Sequence, residues 1–209
     1  RIEESELPRA LRLQIGKSER KGGVRHVLSN DLPSPIGDLT LAATEESGWL
    51  WIEGQKYYGG TISKAMVPKD DISVFAAAKK WLDQYFSGKK PSISELPLAP
   101  SAVNFARACG VFLRKIPYGE VLTYGDIAKR LAAQLGRERM SSQAVGGAVG
   151  HNPISIIIPC HRVVGAHGSL TGFSAGIQTK IKLLQAEGVD TSKFFIPQKG
   201  QPYKASGNK

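Results

Sequence analysis

Apolar and polar positions over the first hundred residues come in short bursts of about five. Val24 to Leu28, Leu39 to Thr44 and Gly48 to Glu53 each read as a strand. Glu45-Glu46-Ser47-Gly48 reads as a hairpin connection between the last two. The period then changes from two to nearly four. Phe75, Ala78, Leu82 and Tyr85/Phe86 recur at helical spacing, which predicts a helix over Ser73 to Ser87 with Gly88 as its stop. Gly88 to Pro100 holds three prolines and the pair Lys89-Lys90, the composition of a linker. The pattern therefore divides the chain. Residues 1–23 form a charged extension, 24–100 a small sheet with a helix, 101–190 a second domain and 191–209 a tail.

The second half has helical periodicity. Ser101 is placed to cap a helix over about Val103 to Lys115, with Phe105, Cys109, Phe112 and Leu113 on one face. Thr123 to Asp126 has capping-box spacing and opens a helix to about Leu135. A basic turn follows, and Ser141/Ser142 can cap a further helix through about Gly150. Helix, short turn, helix is the helix-turn-helix pattern, which also occurs in proteins that bind no DNA. The last of these helices is unusual. Ala144 to Gly150 contains three glycines, each costing about 1 kcal/mol against alanine in a helix interior. Either the helix packs tightly on a neighbour, or it closes on a bulky ligand. It lacks long polar side chains for reading base edges, so it suits shape-based or minor-groove contact.

Charge sharpens this division. Residues 1–100 carry 14 basic and 13 acidic groups, and residues 101–209 carry 14 and 5. A net +9 in the second half suits either a polyanion-binding face or scattered solvated lysines. No apolar run approaches the ~20 residues of a membrane span, and Arg1 to Gly23 lacks the apolar core of a secretory signal. With two cysteines, Cys109 and Cys160, the chain reads as reduced and intracellular, and it cannot build a four-thiolate metal site.

The candidate chemistry follows Asn152-Pro153. The run Ile154 to Pro159 delivers Cys160 to the end of a buried, rigid segment, and His161 and Arg162 beside it are groups that favour a thiolate. An inert buried cysteine fits the same residues. A zinc site from Cys160, His151, His161 and His167 would have no recognised ligand spacing.

Pro159-Cys160-His161-Arg162-Val163-Val164 resembles the active-site signature of the methylated-DNA–protein-cysteine methyltransferases, the O6-alkylguanine-DNA alkyltransferases. Gly119 to Asn152, Gly172-Phe173-Ser174 and Lys180…Leu183-Leu184…Glu187-Gly188 resemble the family in order and spacing. Residues 101–188 carry most of the likeness. Residues 36–100 match more loosely, through Ser34 to Gly37 and Gly54-Gln55-Lys56.

The resemblance implies an α/β (α+β) fold, with a ribonuclease-H-like antiparallel sheet and helix followed by a winged-helix, helix-turn-helix domain. It implies DNA repair by direct reversal: an alkyl group moves once per molecule from O6-alkylguanine, and from O4-methylthymine, to Cys160. His161 would be the base through a bridging water, Glu187 its orienter, and Asn152 the holder of the water and the active-site turn. Tyr124 would assist the leaving guanine and crowd its phosphate. Backbone groups of Val163 and Ser174 would read the flipped base, with Phe173 as pocket wall. Ala144 and Gly147 would lie against the groove. Lys180 would touch DNA or the active-site loop, although a solvated lysine is the bland alternative. Gln143 stands where relatives place an intercalating arginine, and Arg137 and Arg139 can compensate for the missing charge. The implied partner is double-stranded DNA containing alkylated guanine, met by a cytoplasmic monomer. No cofactor or metal is implied. A non-catalytic lesion sensor and an unrelated cysteine hydrolase remain as alternative readings.

Overall fold

The computed structural model describes residues 28–43, 48–52, 67–96, 98, 111–152 and 154–197. Its first sheet runs β3-β2-β1-β4. Strands β1 (Leu28–Leu32), β2 (Leu39–Ala43) and β3 (Gly48–Ile52) form an antiparallel meander, with Leu28 opposite Ala43 and Leu39 opposite Ile52. The short β4 (Val67–Pro68) joins β1 in parallel, so the expected antiparallel sheet gains one parallel edge. A proline is admissible there because an edge strand need not donate on its outer side.

The first strand lies further along than its sequence suggests. Of the expected Val24 to Leu28, residues 24–27 lie outside the described residues, and β1 continues through Ser29, Asn30 and Asp31. These are poor strand formers. All three are held by the ladder with β2, Ser29 also by β4, and context overrides propensity. The other two expected strands and the helix agree within one residue. Helix α1 (Ser73–Phe86) packs Val74, Phe75, Trp81, Leu82 and Tyr85 inward, and Gly88 follows its end at φ +78°. Of the helix expected over Val103 to Lys115, α2 (Val111–Arg114) is described; Cys109 lies outside the described residues.

A two-stranded parallel sheet then sets the geometry of the second half. Strand β5 (Leu122–Thr123) pairs with β6 (Val163–Val164), Leu122 beside Val163 and Thr123 beside Val164. It fixes the start of helix α3 (Tyr124–Gln134) beside the residues that follow Cys160. The capping box is present: Asp126 N–H donates to Thr123 Oγ1 at 3.0 Å, and Thr123 N–H donates to Asp126 Oδ2 at 3.1 Å. Ser141 caps α4 (Ser142–Gly150). Helix α5 (Ile177–Ala186) completes the second half. No helix among the described residues is long and apolar enough to cross a membrane.

One core joins the two halves. Leu39, Leu41, Leu50 and Phe75 belong to the same buried cluster as Ile127, Val145, Ile156 and Cys160. A backbone bridge reinforces it, Ser155 N–H donating to Leu50 O at 3.0 Å. The sheet thus holds the segment that leads to the thiol.

Replacing the cap Thr123→Ala should lower stability by about 1 kcal/mol in urea unfolding. An unchanged midpoint would show that the β5–β6 ladder alone sets the start of α3.

Candidate active site

The segment before Cys160 is buried as expected, but it is a series of tight turns. Ile157 N–H donates to Ser155 O at 2.8 Å and Cys160 N–H donates to Ile158 O at 2.8 Å. Ile156 sits at φ +69°, a costly conformation for a β-branched residue. What holds it is its surroundings: Ile154, Ile156, Ile157 and Ile158 are all buried. Cys160 opens a 3₁₀ turn over Cys160–Arg162 and is 4% exposed.

Asn152 braces this turn from its far end. Its Nδ2 donates to Ile158 O at 2.7 Å and to Cys160 Sγ at 3.0 Å, while its Oδ1 accepts from Ile154 N–H at 3.0 Å. One amide therefore fixes three points of the loop. Burial pushes the Cys160 thiol up from its ordinary value; the hydrogen bond from Asn152, the charge of Lys180 and the backbone N–H groups of Cys160 and His161 oppose it.

The cation beside the thiol is not the expected one. Arg162 turns away, donating Nε to Glu187 Oε2 at 2.8 Å, Nη2 to Glu187 Oε1 at 2.9 Å and Nη1 to Ile116 O at 2.6 Å. Lys180 takes the place sequence reasoning gave to Arg162. It is neither solvated nor at the surface: it is 0% exposed, and Nζ donates to Val163 O at 2.5 Å and Thr171 O at 3.0 Å. Burial lowers its pKa to about 8, against an opposing contribution from Cys160. Lys180 is thus a clamp between the active-site strand β6 and the loop at Thr171. Its described contacts are to the active-site strand and to this loop.

His161 is fully buried, with Nε2 at 2.7 Å from Glu187 Oε1. Burial alone would raise Glu187, but the hydrogen bond from His161 and the hydrogen bonds and charge of Arg162 outweigh it and hold the carboxyl at about 2. An ionised carboxylate only accepts, so His161 carries its proton on Nε2. The lone pair is then on Nδ1, which has no hydrogen-bond partner among the described residues. Burial lowers the His161 pKa; Glu187 counters it, while Arg162 and Lys180 reinforce it. The resting ring is neutral and able to take a proton.

Tyr124, the first residue of α3, reaches across to Thr171 O at 3.3 Å. Burial, then the charge of Cys160, pushes its hydroxyl up to about 12, so it stays a phenol and a donor. Gly172, at φ +70°, permits this approach: a Cβ there would lie 3.0 Å from the Tyr124 hydroxyl oxygen. Phe173 and Ser174 follow, both half-buried, and Phe173 packs on the core cluster that contains Cys160. Both backbone groups of Val163 are engaged, its N–H donating to Cys160 O and its carbonyl accepting from Lys180.

Gln143, Ala144 and Gly147 lie together on the exposed face of α4, and Arg137 and Arg139 are exposed in the turn before it. Packing does not explain every glycine of this helix. A Cβ on Gly146 would make ordinary contact with the Tyr124 ring at 3.8 Å, whereas one on Gly147 would meet nothing within 4 Å.

Sequence reasoning missed Tyr85. It reads as an apolar residue of α1, yet its hydroxyl donates to Glu187 Oε1 at 2.7 Å and lies 3.4 Å from His161 Nε2. The signal was the residue type: a buried tyrosine in an apolar stripe needs a partner for its hydroxyl. Gly119 was also missed; its N–H donates to Glu187 Oε2 at 3.1 Å.

The depressed Glu187 pKa predicts an acid limb in stability. The stabilisation is complete above the ordinary carboxyl value of 4.5 and is lost as pH falls through about 2; it is on the order of 3 kcal/mol. Glu187→Gln should be less stable throughout, since Arg162 is left buried without a counter-charge, and should lose the slope between those two pH values. An unchanged slope in acid titrations followed by circular dichroism would contradict this.

Known proteins share this arrangement of sequence and fold. Residues 104–189 match the model of the 6-O-methylguanine DNA methyltransferase DNA binding domain, and residues 30–100 match that family's ribonuclease-like domain. A Haemophilus influenzae methylated-DNA–protein-cysteine methyltransferase is 40% identical over 160 residues, covering 74% of this chain and 83% of the relative. A Shigella flexneri protein of the same name is 47% identical over 174 residues, 78% of this chain and 96% of the relative. Among solved structures, the Mycobacterium tuberculosis O6-methylguanine methyltransferase superimposes with a TM-score of 0.61 at 38% identity, covering 78% of this chain and 93% of that one. The Mycobacterium tuberculosis OGT in complex with DNA gives 0.61 at 35% identity, covering 80% and 95%. With the buried Cys160–His161–Glu187 series on the matched segment, the chain belongs to the methylated-DNA–protein-cysteine methyltransferase family.

Proposed function

We propose that this protein repairs double-stranded DNA inside the cell by moving a methyl or other alkyl group from O6-alkylguanine, and from O4-methylthymine, onto Cys160. Each molecule acts once, as a monomer. Residues 101–190 carry the DNA contacts and the chemistry; residues 24–100 support them. The observation that carries the reading is the buried series Asn152–Cys160, His161–Glu187, with the free lone pair of His161 on Nδ1.

A thiol only 4% exposed cannot meet a base stacked in a duplex, so the damaged nucleotide leaves the stack. The thiol proton passes through a water to His161 Nδ1. Sulfur attacks the alkyl carbon, the carbon–sulfur bond forms and the carbon–O6 bond breaks. Tyr124 hydrogen-bonds the departing base, and the thiol proton, relayed by His161 and solvent, ends on guanine. The charge of Lys180 favours the thiolate. Val163 and Ser174 meet the base edge, with one Val163 carbonyl lone pair already given to Lys180. Phe173 walls the pocket. The product is a thioether, and no water-activating group is needed because it is not hydrolysed.

The exposed face of α4 meets the minor groove through Ala144 and Gly147, where small residues allow close approach. Gln143 hydrogen-bonds the orphaned partner base, and Arg137 and Arg139 bind phosphates.

Intact mass after incubation with a duplex carrying O6-methylguanine should show one methyl adduct, mapped by peptide analysis to Cys160. Cys160→Ala should abolish it and retain binding to the lesion duplex. An adduct elsewhere, or tight binding without transfer, would overturn the assignment. Affinity of the variant for DNA should also fall linearly in log–log terms as salt rises, with a slope of about −0.9 per phosphate contacted. A flat dependence would remove the basic half as the DNA face.

A further inference from the structure

Tyr85 has no role in the transfer chemistry as proposed, yet it is built into the centre of it. It lies on α1, in the segment that matches the ribonuclease-like domain, and is 1% exposed. Its ring is held on two sides: stacked on Trp81 at 5.5 Å and 8°, and edge-on to Tyr118 at 5.7 Å. The hydroxyl is therefore aimed before any substrate arrives. It donates to Glu187 Oε1, the same oxygen that accepts from His161 Nε2 and Arg162 Nη2. One oxygen thus divides its acceptor strength among three donors.

We infer that Tyr85 is a positioning residue that sets the basicity of His161 by competing with it for Glu187 Oε1. This rests on the reading of His161 as the base for Cys160. The physics is a contest for one lone-pair region. Each further donor draws electron density from the carboxylate, weakens the His161–Glu187 bond and makes the imidazolium less favourable. Other groups facing His161 are Glu187 and Lys180 from the α5 segment, and Cys160 and Arg162 from its own turn. Of these, Glu187 alone stabilises the protonated ring, so the strength of that contact is the natural control point. Burial and the Glu187 charge keep the Tyr85 hydroxyl protonated, so its donor role is constant with pH.

The consequence for the reaction is specific. A His161 tied too strongly to Glu187 would hold a proton at rest and be unable to receive one from the thiol. Burial already favours the neutral ring; Tyr85 limits how far Glu187 can counter that, and it does so from the half of the chain that does not carry the thiol. The ribonuclease-like segment is then part of the transfer chemistry as well as a support for it.

The test uses the full-length protein and a duplex carrying O6-methylguanine. Two variants bracket the hydroxyl: Tyr85→Phe removes the donor, and 3-fluorotyrosine incorporated at position 85 strengthens it. In Tyr85→Phe the His161 Nε2–H proton resonance should move downfield. The acid limb of the single-turnover rate should move up by roughly half a pH unit or more. In the fluorotyrosine protein both should move the opposite way, and that variant is nearly isosteric, so it reports even if Tyr85→Phe folds poorly. Unmoved signals in the fluorotyrosine protein, or shifts of the same sign in both variants, would overturn the inference and leave packing as the role of Tyr85. The two readings fail separately: loss of the adduct from Cys160 of the unaltered protein removes the base assignment, whereas a normal adduct with an unmoved acid limb removes the role of Tyr85 alone.

Discussion

The Glu187 carboxylate is the interaction on which the rest of the site depends. Five donors converge on it: Tyr85 and His161 on Oε1, Gly119 N–H on Oε2, and Arg162 on both. Those donors come from α1, the loop before β5, and the active-site turn. Burying a charge is costly unless it is paired and its lone pairs are filled, and here both conditions hold. Satisfying one carboxylate therefore locks three separate pieces of chain together. It also fixes which nitrogen of His161 carries the proton, because an ionised carboxylate accepts and never donates. The tautomer, and with it the direction in which the ring offers its lone pair, follows from a structural ion pair.

A second constraint acts on the thiol. A cysteine buried this deeply is pushed toward the neutral form, which is a poor nucleophile. The fold opposes this with short-range dipoles and one buried cation, and not with an adjacent arginine. The Asn152 amide and two backbone N–H groups reach the sulfur, and Lys180 is held near it by two carbonyls that also tie β6 to the loop at Thr171. The same contacts that shape the loop shift the thiol. Structure and reactivity are not separable here, since relaxing the loop would remove the groups that favour the thiolate.

This explains what was legible in the sequence. The α3 cap could be read because Thr123 and Asp126 are three residues apart and make their contacts locally. The α1 stripe could be read for the same reason. The roles of Cys160, His161, Glu187 and Asn152 came from a motif spread over the chain, and the structure brings these four together. What stayed hidden is non-local. The middle of strand β1 is polar and is made a strand by its pairing with β2, with β4 beside its first two residues. Arg162 lies two positions after Cys160 in sequence, but the 3₁₀ turn directs its side chain to Glu187. Lys180 reads as a helix-surface lysine, and only the packing of α5 on the Cys160 turn shows that it is internal. Tyr85 lies 102 positions before its partner, and no spacing rule connects them.

The division of charge along the chain takes on a different meaning in this light. The second half is strongly basic by count, which suggests a surface built for a polyanion. Among the described residues, two of its cations are internal. Arg162 is neutralised by Glu187, and Lys180 is spent on backbone carbonyls near the thiol. Neither is available to a phosphate. Arg137 and Arg139 are exposed in the turn before α4 and not on the helix. The helix itself presents Gln143, Ala144 and Gly147, which are small or uncharged. Under the proposed function, charge at the rim draws and orients a phosphate backbone, while the centre of the contact is left to shape. A face arranged this way attracts any duplex with little regard to sequence. Under the proposed function, selectivity then comes from which base can leave the stack and reach Cys160, and the buried network organised by Glu187 is what holds the Cys160 turn in place.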